Sequence, residues 1–156
     1  MSKLRTHNLK IRLAERRDIM TIWRWRNDPL TRRNSVNQKP VTLLKHREWF
    51  SRLFDSNNTT LFIGIDKFSD KEIGMVRFDK SDKNLAEASI NLNPFFRGNG
   101  LGGNLLNLGV YSYTTSNPHT KLFAKIKRNN KKSVKTFLKA GFQQTGSQCN
   151  QLIFSL

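Results

Sequence analysis

The chain is 156 residues long, 37% hydrophobic, and carries a formal net charge of +17. That length suits one domain with a real core, and eleven Phe and three Trp supply large groups to bury, which excludes a disordered polyelectrolyte. A single cysteine, Cys149, excludes an internal disulfide and a cysteine metal cluster.

In chain order, Lys10–Ala14 alternates Ile11 and Leu13 with basic residues, as a half-buried strand does. Ile19, Ile22 and Trp23 recur at helical spacing across Asp18–Arg26, and Asn27-Asp28-Pro29 stops that helix. Thr31–Pro40 is polar and aperiodic and reads as a loop. Thr42 caps a second helix to about Phe54, with His46, Trp49, Phe50 and Leu53 as its apolar stripe. The period then changes. Thr60–Ile65, Glu72–Phe78 and Leu85–Asn93 read as successive strands, the first two antiparallel. A glycine-rich stretch leads into a helix carrying Leu101, Leu105, Leu106, Leu108, Val110 and Tyr113, closed by Asn117-Pro118, with Tyr111 and Tyr113 expected to pack in the core. Leu122, Ala124 and Ile126 mark a strand. Asn130 caps a helix with Val134, Phe137 and Leu138 inside, Gly141 follows it, and Leu152, Phe154 and Leu156 alternate in a last strand. The sum over residues 1–156 is a single α/β domain on a mixed sheet.

The charge is unevenly placed. All eleven acidic residues lie at or before Glu87, and Ala88–Leu156 contains none. Arg97, Lys121, Lys125, Lys127, Arg128, Lys131, Lys132, Lys135 and Lys139 make that half strongly basic. Such a field attracts a polyphosphate cofactor, a nucleotide-linked substrate, nucleic acid or an anionic membrane surface, and part of it is a solvated face. Met1–Lys10 is polar and unlike a signal peptide, and no run is long enough to span a bilayer, so the expected home is the cytoplasm.

The most informative stretch is Asn93-Pro94-Phe95-Phe96-Arg97-Gly98-Asn99-Gly100-Leu101-Gly102-Gly103, set between a predicted strand and a predicted helix. Glycines let a backbone approach a ligand, and free amides at a helix start bind pyrophosphate. A P-loop would need Lys-Ser/Thr where Asn104-Leu105 stands, and a dinucleotide fingerprint would need a downstream acid that does not exist. A cradle for a different pyrophosphate remains, against a flexible turn without a ligand.

Arg97-Gly98-Asn99-Gly100-Leu101-Gly102 resembles the coenzyme A loop, Q/R-x-x-G-x-G/A, of the GNAT superfamily of N-acetyltransferases. Asn130-Lys131-Lys132-Ser133 followed by Phe137-Leu138-Lys139-Ala140-Gly141-Phe142 resembles the superfamily's later N-x-x-S/A…Y-x-K-x-G-F segment. Trp25-Arg26-Asn27-Asp28-Pro29 and His46-Arg47-Glu48-Trp49-Phe50 resemble a branch holding the ribosomal-protein alanine acetyltransferases and the PseH-like nucleotide-amino-sugar acetyltransferases of pseudaminic acid biosynthesis. The pattern is most similar to the PseH-like group.

The resemblance implies a central mixed, mostly antiparallel sheet flanked by helices, and acetyl-CoA as cosubstrate. Arg97, Gly98, Asn99, Gly100, Leu101, Gly102 and Gly103 would hold its pyrophosphate, Leu92 would lie at the acetyl carbonyl, and Asn130, Ser133 and Phe137 would complete the coenzyme side. No metal is implied. Phe137 stands where many members carry a tyrosine acid, and phenylalanine cannot donate a proton.

Direct attack needs a neutral amine and hence a base. The period-2 pattern places Glu87 with Ser89, Asn91 and Asn93, opposite Ala86, Ala88, Ile90 and Leu92. Glu87 is the candidate base, against a solvent-facing or ion-paired role. Arg26, Asn27, Arg32, Arg33, His46 and Trp49 are the acceptor-side candidates, His46 and Trp49 also suiting core packing. The implied acceptor is the 4-amino group of a UDP-linked 4-amino-4,6-dideoxy sugar. A protein N-terminus is the alternative, and a basic nucleic-acid-binding module the alternative of another class. Homodimers are common in the superfamily, but no interface is legible here.

Overall fold

The computed structural model describes residues 8–156. Four strands follow one another as an antiparallel meander, β1 (Leu9–Leu13), β2 (Thr59–Asp66), β3 (Glu72–Asp82) and β4 (Leu85–Leu92). β5 (Lys121–Lys127) lies parallel to β4, which requires a crossover, and α4 (Leu101–Ser116) supplies it. β7 (Gln151–Ser155) pairs antiparallel with β5, and β6 (Gln143–Gln148) forms the far edge, giving the order β1-β2-β3-β4-β5-β7-β6. The sheet is mixed and mostly antiparallel, as expected.

Alternation along the strands assigns two faces. Val76, Phe78, Ala86, Ala88, Leu122, Ala124, Ile126, Leu152 and Phe154 form a core with α4 and α5 (Lys131–Lys139). Burying each of the larger groups stabilises by about 1.5–3 kcal/mol. α4 meets β3 closely at Gly109, where a Cβ would lie 2.9 Å from Val76 Cγ1, and Tyr113 stacks on Phe78 at 4.3 Å. On the other face, Leu61, Ile63, Ile65 and Met75 pack against Ile22 and Trp25 of α1 (Ile19–Asn27) and Phe50 of α3 (Leu43–Asp55).

Several expectations are corrected. A 3-10 turn at Arg16–Asp18 precedes α1, and the stretch Thr31–Pro40, expected as a loop, is helical as far as Asn34 in α2 (Pro29–Asn34). Asp28 both ends α1 and starts α2, its Oδ2 accepting from the amides of Leu30 and Thr31 with Pro29 in the first turn. β6 was not foreseen, because Gln143–Gln148 has no apolar alternation and is a strand only by pairing with β7. Leu13, Tyr111 and Leu138 are exposed rather than packed. The reading of the first seven residues lies outside the described residues. Among the described residues, no helix is long and apolar enough to cross a membrane.

Candidate active site

The site begins where two strands part. β5 pairs with β4 only from Leu85 to Glu87, so the remainder of β4 is bonded to β3 alone. The amide of Asn93 donates to the Ile73 carbonyl of β3 at 2.9 Å. Amides alternate across a strand, so that of Leu92 is directed to the side β5 has left. The parting leaves a notch with a backbone donor at its edge.

The glycine loop opens beside this notch. Asn93 caps the turn Pro94–Phe96, its Oδ1 accepting from the Phe95 amide at 3.2 Å, while its side-chain Nδ2 donates to the Glu72 carbonyl at 2.8 Å. Gly98 and Gly100 then take φ of 79° and 72°, which side chains resist. α4 starts at Leu101 with no side-chain cap and no acidic residue in its first turn. Its leading amides therefore lack side-chain partners at the positive end of the helix dipole. A Cβ at Gly98, Gly100 or Gly103 would meet nothing within 4 Å, so the ledge is open, while buried Gly102 sits against Leu92 and Thr136. Such a ledge fits a diphosphate. Asn99 is exposed, its Nδ2 donating to the Phe96 carbonyl.

On α5, Asn130 Oδ1 accepts from the Ser133 amide at 3.3 Å, so Asn130 caps the helix, and both residues are half-buried. Phe137 lies in the core, edge-on to Phe142 at 5.0 Å. It fills space there and offers no proton.

Glu87 is half-buried and lies opposite Asp79 across the β3–β4 ladder. Burial pushes its carboxyl above the ordinary value; Lys125 and Arg77 oppose that rise and Asp79 adds to it. Arg77 and Asp79 were not singled out from sequence, and Lys125 entered only as one residue of the basic half. The available signal was their alternation with Val76, Phe78, Ala124 and Ile126.

The residues around α1–α3 fall into two groups. Trp49 is half-buried, with the Arg77 guanidinium 5.6 Å from its ring. Arg26, Arg32 and Arg77 are close enough that burial first, then the Arg77 and Arg32 charges, disfavour the protonated form of Arg26. Arg77 Nε lies 2.7 Å from Asp79 Oδ2. Arg26 Nη2 donates to the Asn37 carbonyl, but its Nη1 and the Nε of Arg32 are buried with no hydrogen-bond partner among the described residues. Asn27 and His46 are engaged otherwise. Both ends of the Asn27 amide bond to the Val41 backbone, at 2.8 and 2.9 Å, fixing the α2–α3 loop. His46 is buried, with Nε2 2.8 Å from the Ile19 carbonyl oxygen. Arg33 is exposed, and its carbonyl accepts from Lys127 Nζ at 3.0 Å.

Residues 8–143 match the family model described as an acetyltransferase (GNAT) domain. The chain belongs to this family. A GNAT acetyltransferase takes acetyl-CoA as cosubstrate. Among curated proteins none matches the chain in sequence. Solved structures do. A domain from Methanocaldococcus jannaschii DSM 2661 superposes with a TM-score of 0.83 at 24% identity, over 95% of this chain and 97% of that one. Spermidine N-acetyltransferase from Vibrio cholerae, in complex with CoA and spermine, gives 0.82 at 20% identity, over 94% and 92%. Campylobacter jejuni N-acetyltransferase PseH, in complex with acetyl coenzyme A, gives 0.73 at 17%, over 95% and 97%. In shape this GNAT chain is therefore nearer to the spermidine enzyme than to PseH, against the ranking read from its motifs. No cluster of three or more His, Cys, Asp or Glu side chains among the described residues could hold a metal ion.

Proposed function

We propose that this enzyme acetylates the amine of a small anionic acceptor, a UDP-linked 4-amino-4,6-dideoxy sugar, by direct attack. The observation that carries this reading is the arginine group, in which buried Arg26 Nη1 and Arg32 Nε have no partner among the described residues. Burying a guanidinium donor without an acceptor is unfavourable, and a phosphate or carboxylate supplies the missing acceptor. Arg77 links this group to Glu87, since its charge acts on both Arg26 and Glu87. Arg77 and Glu87 also share a face of the sheet, since Asp79, two residues along from Arg77, is the cross-strand partner of Glu87.

Glu87 takes the proton as the amine attacks, a task suited to a carboxylate whose affinity for protons burial has raised. The Leu92 amide donates to the oxygen that gains charge. The coenzyme would supply the acetyl group as a thioester whose C–S bond breaks as the C–N bond forms, the leaving thiolate taking its proton from solvent because Phe137 offers none. Its diphosphate would rest on the backbone from Gly98 to Gly103, with Asn130 and Ser133 flanking the remainder.

Spermidine, the substrate in the name of the Vibrio cholerae enzyme, is the second reading, favoured by overall shape. Charge opposes it. A polycation would have to approach Arg26, Arg32, Arg77 and Lys125 with few carboxylates to meet it.

The test is a side-by-side assay of thiol release and product mass with the UDP-linked 4-amino sugar, spermidine and an alanine-starting peptide. Acetylated sugar as the dominant product supports the reading. Preference for spermidine or the peptide overturns the sugar assignment and leaves the acetyltransferase assignment standing.

A further inference from the structure

Arg97 is the one charged side chain in the glycine loop, and its sequence position marks it for the coenzyme diphosphate. Its guanidinium is turned elsewhere. Nη1 donates to Asp28 Oδ2 and Nη2 to Thr31 Oγ1, each at 2.7 Å. The Thr31 hydroxyl donates in turn to Asn91 Oδ1 at 3.1 Å, on the part of β4 that β5 has left. At the other end of α2, Lys127 Nζ of β5 holds the Arg33 carbonyl. The short helix carrying Arg32 is thus tied to the coenzyme loop, to β4 and to β5, and it bridges the gap between the parted strands.

We infer that Arg97 is a positioning residue which registers the acceptor-side helix α2 against the coenzyme loop, rather than a ligand of the diphosphate. The contact is well made for this. Both partners are mostly buried, with side-chain exposures of 23% for Arg97 and 18% for Asp28. The two guanidinium nitrogens engage two different acceptors, which fixes direction as well as distance. Asp28 is also the cap of α2, so a movement of the loop reaches the start of that helix through one carboxylate oxygen. Coenzyme binding, by holding the loop, would hold α2 and the Arg32 side chain with it, and linkage makes the effect reciprocal. The inference rests on the acetyltransferase assignment and on the coenzyme loop, not on the identity of the acceptor.

The test uses the full chain, coenzyme A as probe, and Asp28→Asn. Asparagine retains the helix cap while removing the charge that holds Arg97. Hydrogen exchange at the amides of residues 30–35 is followed with and without coenzyme A, alongside calorimetric titration of the coenzyme. In the native chain, saturation is expected to slow exchange there by about five-fold or more, within the range of ordinary coupling. In Asp28→Asn that protection should be lost while the coenzyme dissociation constant stays within about two-fold. Arg97→Lys should behave in the same way, because lysine keeps the charge and loses the fork. Exchange in α2 that ignores the coenzyme in the native chain would overturn the inference. So would a coenzyme affinity weakened about ten-fold or more by Arg97→Lys, the mark of a direct diphosphate contact. If the native chain failed to bind coenzyme A at all, the loop assignment itself would fall, which is a separate outcome.

Discussion

Glu87 and Asp79 face each other across the β3–β4 ladder, two carboxylates on one face of the sheet, with Arg77 Nε 2.7 Å from Asp79. The arginine compensates Asp79 directly. Glu87 is left half-buried, and its carboxyl is raised chiefly by burial.

Activity should therefore rise with pH through an acid limb that lies above the ordinary glutamate range, because the base must lose its proton before it can act. A profile of kcat/KM against pH measures this limb. Glu87→Gln should remove it and lower kcat by about 10²–10⁴-fold. The sign for stability is opposite. A raised carboxyl contributes stability below the unfolded value and loses it as pH rises through the folded one, so the charged form is the strained one. Glu87→Gln should then melt no lower than the native protein at neutral pH. A large drop in Tm would show that Glu87 is a structural ion-pair partner.

Arg32→Ala should raise KM for an anionic acceptor about ten-fold or more while sparing coenzyme affinity, since its buried Nε has no partner among the described residues to lose. Free UDP should inhibit the native enzyme competitively against the acceptor and the variant much less. Equal inhibition of both would remove Arg32 from the acceptor site.

Asp18 is buried and takes two hydrogen bonds from Arg12, at 2.7 and 2.8 Å, and one from the Glu15 amide. Burial opposes its ionisation, but these donors outweigh burial and hold the carboxyl below its ordinary value. Stability from this group is present above the unfolded aspartate value and lost as pH falls through the folded one. Asp18→Ala should cost about 1.5–3 kcal/mol in denaturant unfolding at neutral pH, because it removes charge-assisted hydrogen bonds while Arg12 keeps Glu72, 3.1 Å from its Nη2. The cost should shrink in acid. A loss under about 1 kcal/mol would mean that the ion pair is dispensable.

Gly109→Ala should destabilise by about 1–3 kcal/mol despite the better helix propensity of alanine, because the new methyl would press on buried Val76. The urea midpoint checks it. Recovery in the double variant with Val76→Ala would assign the cost to that contact.

What the sequence determined by itself is local and periodic. Alternation in Leu85–Leu92 separated Glu87 from Ala86 and Ala88, the glycines from Gly98 to Gly103 announced a turn into a helix, and Asn130 announced its cap. Each depends on backbone geometry that a few neighbouring residues dictate. The tertiary structure decided what depends on partners distant in the chain. It parted β5 from β4 after Glu87, made a strand of Gln143–Gln148 by pairing it with β7, and brought Arg26, Arg32 and Arg77 together from three elements. It also brought the Arg97 guanidinium against Asp28, 69 residues away. A motif records which residue stands at a position, whereas the direction of a guanidinium is set by the acceptor that the fold brings within reach of it.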